Sequence, residues 1–100
     1  MKKKTNMVKH VLFVKLKDKN DAPKVKALFE SMKEKIDLIQ ELQVGIDYLA
    51  SPRSYDVVLE MVVASKEALE AYQAHPYHVN EVKPFIHAVR SGSATVDYEF

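Results

Sequence analysis

The stretch Val8–Leu16 alternates without a break, with Val8, His10, Leu12, Val14 and Leu16 on one face. Its second face is also apolar in the middle, where Val11 and Phe13 lie between Lys9 and Lys15. A strand with apolar side chains on both faces needs cover on both, which a lone chain with helices on one side of its sheet does not supply. Tyr55–Val63 repeats the pattern: Val57, Leu59, Met61 and Val63 face one way, while Val58 and Val62 join Asp56 and Glu60 on the other. Two further strands have one polar face. Leu42, Val44, Ile46 and Tyr48 alternate with Glu41, Gln43, Gly45 and Asp47, and Ala94, Val96, Tyr98 and Phe100 alternate with Thr95, Asp97 and Glu99.

Between the strands the period changes to that of helices. Asp18 to Asp21 reads as a turn, with Asp21 as N-cap and Pro23 in the first turn behind it. Val25, Leu28, Phe29, Met32 and Ile36 then form an apolar stripe, with Lys24, Lys26, Lys33 and Lys35 outward. Ser51-Pro52-Arg53-Ser54 is a connecting loop, and Ser65 caps a short helix carrying Ala68, Leu69 and Tyr72. His75-Pro76 interrupts that helix, because proline disfavours helical geometry in the residue before it. A further helix starts near Pro76 with Val79, Val82, Phe85, Ile86 and Val89 as its stripe; Pro84 predicts a kink and Gly92 its end.

The order is therefore β-α-β-β-α-β, an α+β, ferredoxin-like pattern with a four-stranded antiparallel sheet. Right-handed crossovers put strands one and three in the centre and two and four at the edges, with the helices on one face. Val11, Phe13, Val58 and Val62 would then form an apolar patch facing water in a monomer, and such patches mark interfaces. A two-fold pairing of sheets covers it, so these four residues are the expected dimer contact.

The chain's 100 residues fit one domain, with residues 1–6 as a flexible tail and residues 7–100 as the fold. There is no cysteine, which excludes disulfides, thiol nucleophiles and cysteine metal sites. No stretch reaches membrane-spanning length, and the lysines at the start are not followed by a signal-peptide core; a cytoplasmic, non-membrane protein is expected. Net charge is +1, but residues 1–35 hold eleven Lys against four acids and residues 36–100 hold four basic against ten acidic side chains. Those lysines alternate with apolar residues or line the outer face of the first helix, without exposed aromatics among them. They read as a solvated face, and no nucleic-acid partner is expected.

Chemistry concentrates in Tyr72-Gln73-Ala74-His75-Pro76-Tyr77-His78. Histidine titrates near neutrality and can take or give a proton, and a tyrosine beside it can donate a hydrogen bond to an oxygen that gains charge. On an unbroken helix Tyr72 and His78 would point to different sides; the break at Pro76 lets them converge. His10 is the one ionisable group on the helix-covered face of a central strand, so a pocket between sheet and helices would find it. His75 and His78 should not share a face, leaving only Glu81 at a ligand-like spacing, and no metal site is expected. Glu60 with Asp97 or Glu99 reads either as a carboxylate pair or as a charged rim around the apolar contact.

Several segments carry a family resemblance: Met7-Val8-Lys9-His10 opening a strand, Ser51-Pro52-Arg53-Ser54-Tyr55-Asp56, and Ala68-Leu69-Glu70-Ala71-Tyr72 running into His75-Pro76-Tyr77-His78-Val79. With Val82-Lys83-Pro84-Phe85-Ile86 and Val96-Asp97-Tyr98-Glu99, they resemble the stress-responsive A/B barrel, or Dabb, family from about residue 7 to residue 100. The resemblance implies a homodimer whose two sheets meet as an α/β barrel. It implies diverse functions, including a stress role in plants and, in a branch resembling olivetolic acid cyclase, aldol closure of a polyketide thioester without metal or organic cofactor. In that branch the matching roles fall on His78 as base and Tyr72 as its assistant, with His10, Leu12, Val14, Leu28 and Leu59 lining the ligand pocket.

The reading that follows is a homodimer binding a small, largely apolar ligand between sheet and helices, with cofactor-independent His/Tyr acid–base chemistry. A non-catalytic stress-response or interaction protein built on the paired barrel is the alternative, and a monooxygenase-type or haem-handling dimer is a third.

Overall fold

A computed structural model describes residues 6–100. Positions 1–5 of the expected tail lie outside the described residues, and Asn6 precedes the first strand without regular structure. The elements are β1 (Val8–Leu16), α1 (Ala22–Lys35), β2 (Glu41–Ile46), β3 (Val57–Val63), α2 (Lys66–Ala74), α3 (Lys83–Val89) and β4 (Arg90–Glu99). The strands form one antiparallel sheet in the order β2-β3-β1-β4, so the two-faced strands β1 and β3 are central, as expected. Among the described residues no helix is long and apolar enough to cross a membrane.

The core lies between the sheet and the helices. Val14, Leu59, Met61 and Val63 from the central strands meet Val25, Phe29, Met32 and Ile36 of α1, with Tyr72, Val82 and Ile86 closing the other end. Each apolar side chain so enclosed contributes about 1.5–3 kcal/mol relative to exposure. Asp56 fixes the end of the central pair: its carboxylate accepts the Leu16 N–H at 2.7 Å and faces the Lys19 ammonium at 3.8 Å. The entry to α1 is tighter than expected. Asp18 accepts the Asn20 N–H and starts a 3₁₀ turn over Lys19–Asp21, and Asp21, though at the N-cap, makes no side-chain cap.

Three boundaries differ from expectation. β2 ends at Ile46, and Tyr48 lies beyond it, 94% exposed. Pro84 produces a wide turn: His78–Val82 forms a π turn in which the Lys83 N–H reaches back to the His78 carbonyl. Pro84 has no N–H for the helical bond and its ring crowds the carbonyl four residues back, so the backbone widens just ahead of it. α3 stops at Val89 and β4 begins at Arg90, so Gly92 does not end the helix; it pairs with Lys15, at the register shift between Lys15 and Leu16.

The edge strands are expected to turn a polar second face away from the helices, and β4 does the opposite. Directly paired residues of an antiparallel sheet share a face. Val11 pairs with both Glu60 and Val96, Phe13 with both Val58 and Ala94, and Lys9 with both Val62 and Tyr98. The apolar row of β4 therefore lies on the bare face and its polar row, Ser93, Thr95, Asp97 and Glu99, on the helix side. The main helix–sheet contacts fall on β1, β2 and β3, so nothing demands an apolar inner row from β4. Glu60 is separated by the sheet from Asp97 and Glu99, and no carboxylate pair forms. Val62 lies on the same face but is only 5% exposed, flanked in register by the long side chains of Lys9 and Glu41. The open apolar surface is instead Val11, Phe13 and Val58 continued by Ala94, Val96, Tyr98 and Phe100.

Candidate functional site

The site is built by the interruption after α2. Ser65 caps that helix by accepting the Ala68 N–H at 3.0 Å, and the helix carries Tyr72 into the core. Pro76 forces His75 into extended geometry (φ −63°, ψ 136°), and the chain re-enters a helical turn immediately afterwards. His75 caps this restart: its Nδ1 accepts the Tyr77 N–H at 3.1 Å, and its carbonyl accepts from Val79. The Tyr77 hydroxyl then pairs with Ser31 Oγ at 2.6 Å, tying the segment to α1. The outcome is that His78 folds back over Tyr72, their ring centres 4.7 Å apart and the planes tilted by 49°.

His78 Nδ1 lies 3.1 Å from the Gln73 carbonyl oxygen. A carbonyl only accepts, so Nδ1 carries the hydrogen and Nε2 is left with a free lone pair. Burial lowers the His78 pKa; the Gln73 hydrogen bond opposes this, and Lys83, His10 and His75 add to the lowering. The ring is thus a neutral base at neutral pH. Tyr72 is almost fully buried, which raises its hydroxyl pKa well above the ordinary phenol value, and the hydroxyl donates to Met32 Sδ at 3.7 Å.

His10 stands on β1 with its ring centre 5.9 Å from that of Tyr72, and its Nδ1 donates to Asp97 Oδ1 at 2.5 Å. This partner is not legible in the sequence, because the register of β4 against β1 decides it. The three rings border a cavity of about 280 Å³ between sheet and helices, with Leu12, Val14, Phe29, Val82 and Ile86 as apolar walls. Gln73, Lys83, His87, Arg90 and Ser93 complete the lining. Of the expected pocket residues, His10, Leu12 and Val14 line this space and two do not. Leu59 is closed into the core with no exposure, and Leu28 turns outward to a separate depression with Lys24, Glu81 and Phe85. The basic residues Lys83, His87 and Arg90 went unread. Their spacing of four and three places them on one side of a helix, which was the available signal. Among the described residues no group of three or more histidines or carboxylates comes together to hold a metal.

A protein-family model described as "Stress responsive A/B Barrel Domain" (Dabb) matches residues 8–100. The chain is 27% identical over 97 residues to a stress-response A/B barrel domain-containing protein of Arabidopsis thaliana. That alignment takes in 94% of this chain but 37% of the relative, so the chain spans little more than a third of its length. Among solved structures, a dimeric protein of unknown function and ferredoxin-like fold from Bacteroides fragilis superposes with a TM-score of 0.82 at 27% identity, covering 94% of this chain and 96% of that one. A hydroxynitrile lyase from Passiflora edulis has a TM-score of 0.81 at 14% identity, over 97% and 95% of the two chains, a likeness of fold alone.

Proposed function

The chain belongs to the stress responsive A/B barrel (Dabb) family, and from that premise we propose that it acts as a homodimer binding a small, largely apolar ligand between sheet and helices, with acid–base chemistry at His78 and Tyr72. The observation that carries this reading is the cavity itself: it is walled by apolar side chains, and His78, held by Gln73 in one tautomer, borders it beside Tyr72.

In this reading His78 Nε2 removes a proton from carbon next to a carbonyl of the ligand. The C–H electron pair moves into the C–C bond and the carbonyl π pair onto oxygen, giving an enolate and an imidazolium. The Tyr72 hydroxyl donates a hydrogen bond to that oxygen; its raised pKa keeps it protonated for the purpose. Its present acceptor, a thioether, is weak and gives way readily to an oxyanion. Attack of the enolate carbon on a second carbonyl of the same ligand would be an aldol closure, with His78 returning its proton to the new alkoxide. The polyketide cyclase-like form of this chemistry needs no cofactor and stands as part of the proposal.

The dimer is supported by the bare face, where Val96 and Phe100 are 57% and 52% exposed beside Phe13 and Val58, and by the dimeric relative of the same fold. A second reading, a non-catalytic stress or interaction protein whose paired barrel is the working unit, is favoured by one observation: the Tyr72 hydroxyl is turned to Met32 in the core.

Hydrogen–deuterium exchange at carbon α to the carbonyl, followed by NMR across a panel of short acyl and β-ketoacyl thioesters in D₂O, separates the two. Catalysed exchange that His78→Gln abolishes, with the dimer intact, is expected. Equal exchange with the variant, or none above the buffer rate with any of the thioesters, would overturn the catalytic assignment in favour of the second reading.

A further inference from the structure

The cavity is not uniformly apolar. Its walls are hydrocarbon, but Lys83, His87 and Arg90 stand among its lining, and no aspartate or glutamate does. Lys83 and Arg90 enter no ion pair among the described residues; the pairs there are His10–Asp97, Lys19–Asp56, Lys26–Glu30 and Lys66–Glu99. Arg90 is half-buried as a residue, and its guanidinium donates from one nitrogen to Ser93 Oγ at 2.7 Å in an exposed contact, which leaves its remaining donors for another acceptor. Asp97, the one carboxylate among the described residues that hydrogen-bonds a lining residue, is engaged with His10 and opens onto a different depression with Lys66 and Glu99.

Two fixed positive charges beside a hydrocarbon-walled space describe a receptor for a molecule of two parts. We propose that the cavity takes an anionic amphiphile, a monocarboxylate with an apolar body, its carboxylate between Lys83 and Arg90 and its body against Leu12, Val14, Phe29 and Ile86. This rests on the cavity being a ligand site, as argued above, but not on any reaction there. The size agrees: about 280 Å³ equals roughly nine waters at ~30 Å³ each, room for a medium-length chain or a single ring with a short substituent. Arginine is suited to the carboxylate because its planar donors match the two oxygens, while Lys83, exposed at the mouth, adds a second positive charge. The same placement has a consequence for His78. Lys83 opposes protonation of that ring, so a carboxylate bound to Lys83 relieves the opposition and makes the ring a stronger base.

Isothermal titration of the full chain with sodium octanoate, 1-octanol and octylammonium at pH 8 tests this. Octanoate is expected to bind about tenfold or more tightly than octanol, since one charge-assisted pairing typically separates them by that much, and octylammonium more weakly than either. Arg90→Gln and Lys83→Gln, neither of them among the buried core residues, should each remove most of the octanoate advantage and leave octanol binding as it was. Octanol binding equal to octanoate, with both lost in Leu12→Trp or in Gln73→Trp (a rim position that spares the core), would overturn the anionic preference and keep the cavity as a ligand site. Failure of both probes to bind, or binding unaltered in folded Leu12→Trp and Gln73→Trp proteins, would overturn the ligand-site reading as well.

Discussion

The two faces of this sheet are written in the same alternating code and end in opposite situations. On the helix side Val14, Leu59, Met61 and Val63 are fully enclosed by α1 and α2, and the buried imidazole of His10 is answered by Asp97. On the other side Val11, Phe13 and Val58 are only half-buried, and Val96, Tyr98 and Phe100 of β4 stand open. The first face is complete within one chain; the second lacks a layer. β4 turns its apolar row to that open side, while the main helix–sheet contacts fall on β1, β2 and β3. With the open face as the proposed contact, stability and assembly fall to separate faces of one sheet, and substitutions should divide the same way.

The largest effect belongs to the bare face. Phe13→Glu sets a carboxylate at the centre of the proposed contact beside Val58 and Ala94, and should weaken association by ~1,000-fold or more, because an unpaired charge would be buried. Light scattering on a size-exclusion column should show a monomer, while circular dichroism remains that of the parent. A dimer that survives the change would remove the sheet-to-sheet contact from consideration. The matching substitution on the covered face is Leu59→Ala, in a position with no exposure and neighbours on both sides. It should cost about 3 kcal/mol in urea unfolding, the usual figure for a leucine truncated in a packed core. The dimer should persist under native conditions; a loss of dimer at full native circular dichroism would mean that the faces are coupled.

A smaller effect distinguishes the two faces by pH, since the perturbed histidine lies on the covered one. His78 in the fold binds its proton less readily than the ordinary value of 6.5, chiefly because it is buried. Between that value and its folded value the unfolded chain holds more proton than the folded chain, so unfolding becomes easier as pH falls through the window. Its contribution is complete above pH 6.5 and declines below it. The ring is only half-buried, and the groups facing it are the Gln73 carbonyl, Lys83, His10 and His75. Urea midpoints from pH 8 down to pH 5 should fall in the parent, and the fall should be shallower in His78→Gln. Parallel curves for the two proteins would mean that burial does not hold the ring neutral.

How much of this was legible in the sequence follows the same division. The order of elements could be read from the alternation of periods, and the central position of β1 and β3 follows from that order with right-handed crossovers. The Tyr72–His78 approach could be read because proline acts locally on the residue before it. The phase of β4 could not: an edge strand with one polar row satisfies the alternation whichever way it faces, and only the reach of the helices decides. Leu28 and Leu59 are apolar residues at reasonable periodicity, and whether such a side chain lines a space or fills one depends on packing that periodicity does not encode. Asp97 was visible as a residue but not as a partner, since its pairing with His10 depends on a register between segments nearly ninety positions apart.

That pairing supplies the smallest and most discriminating test. His10 Nδ1 donates to an Asp97 oxygen across the edge of the sheet, where the carboxylate remains 39% exposed and water screens much of its charge. Asp97→Asn keeps an acceptor oxygen in place and removes only the charge, so the loss of stability should be ~0.5 kcal/mol or less. Asp97→Ala takes away the acceptor and leaves the nearly buried imidazole nitrogen without its partner, which should cost about 1–2 kcal/mol. The ratio between the two variants carries the information, more than either figure. If Asn restores the parent and Ala does not, Asp97 is on the helix-side face to orient His10 at the cavity, and the inward polar row of β4 is functional. If the two variants are equally mild, the pair is an ordinary surface contact, and the inward phase of β4 follows solely from what its outward row must cover.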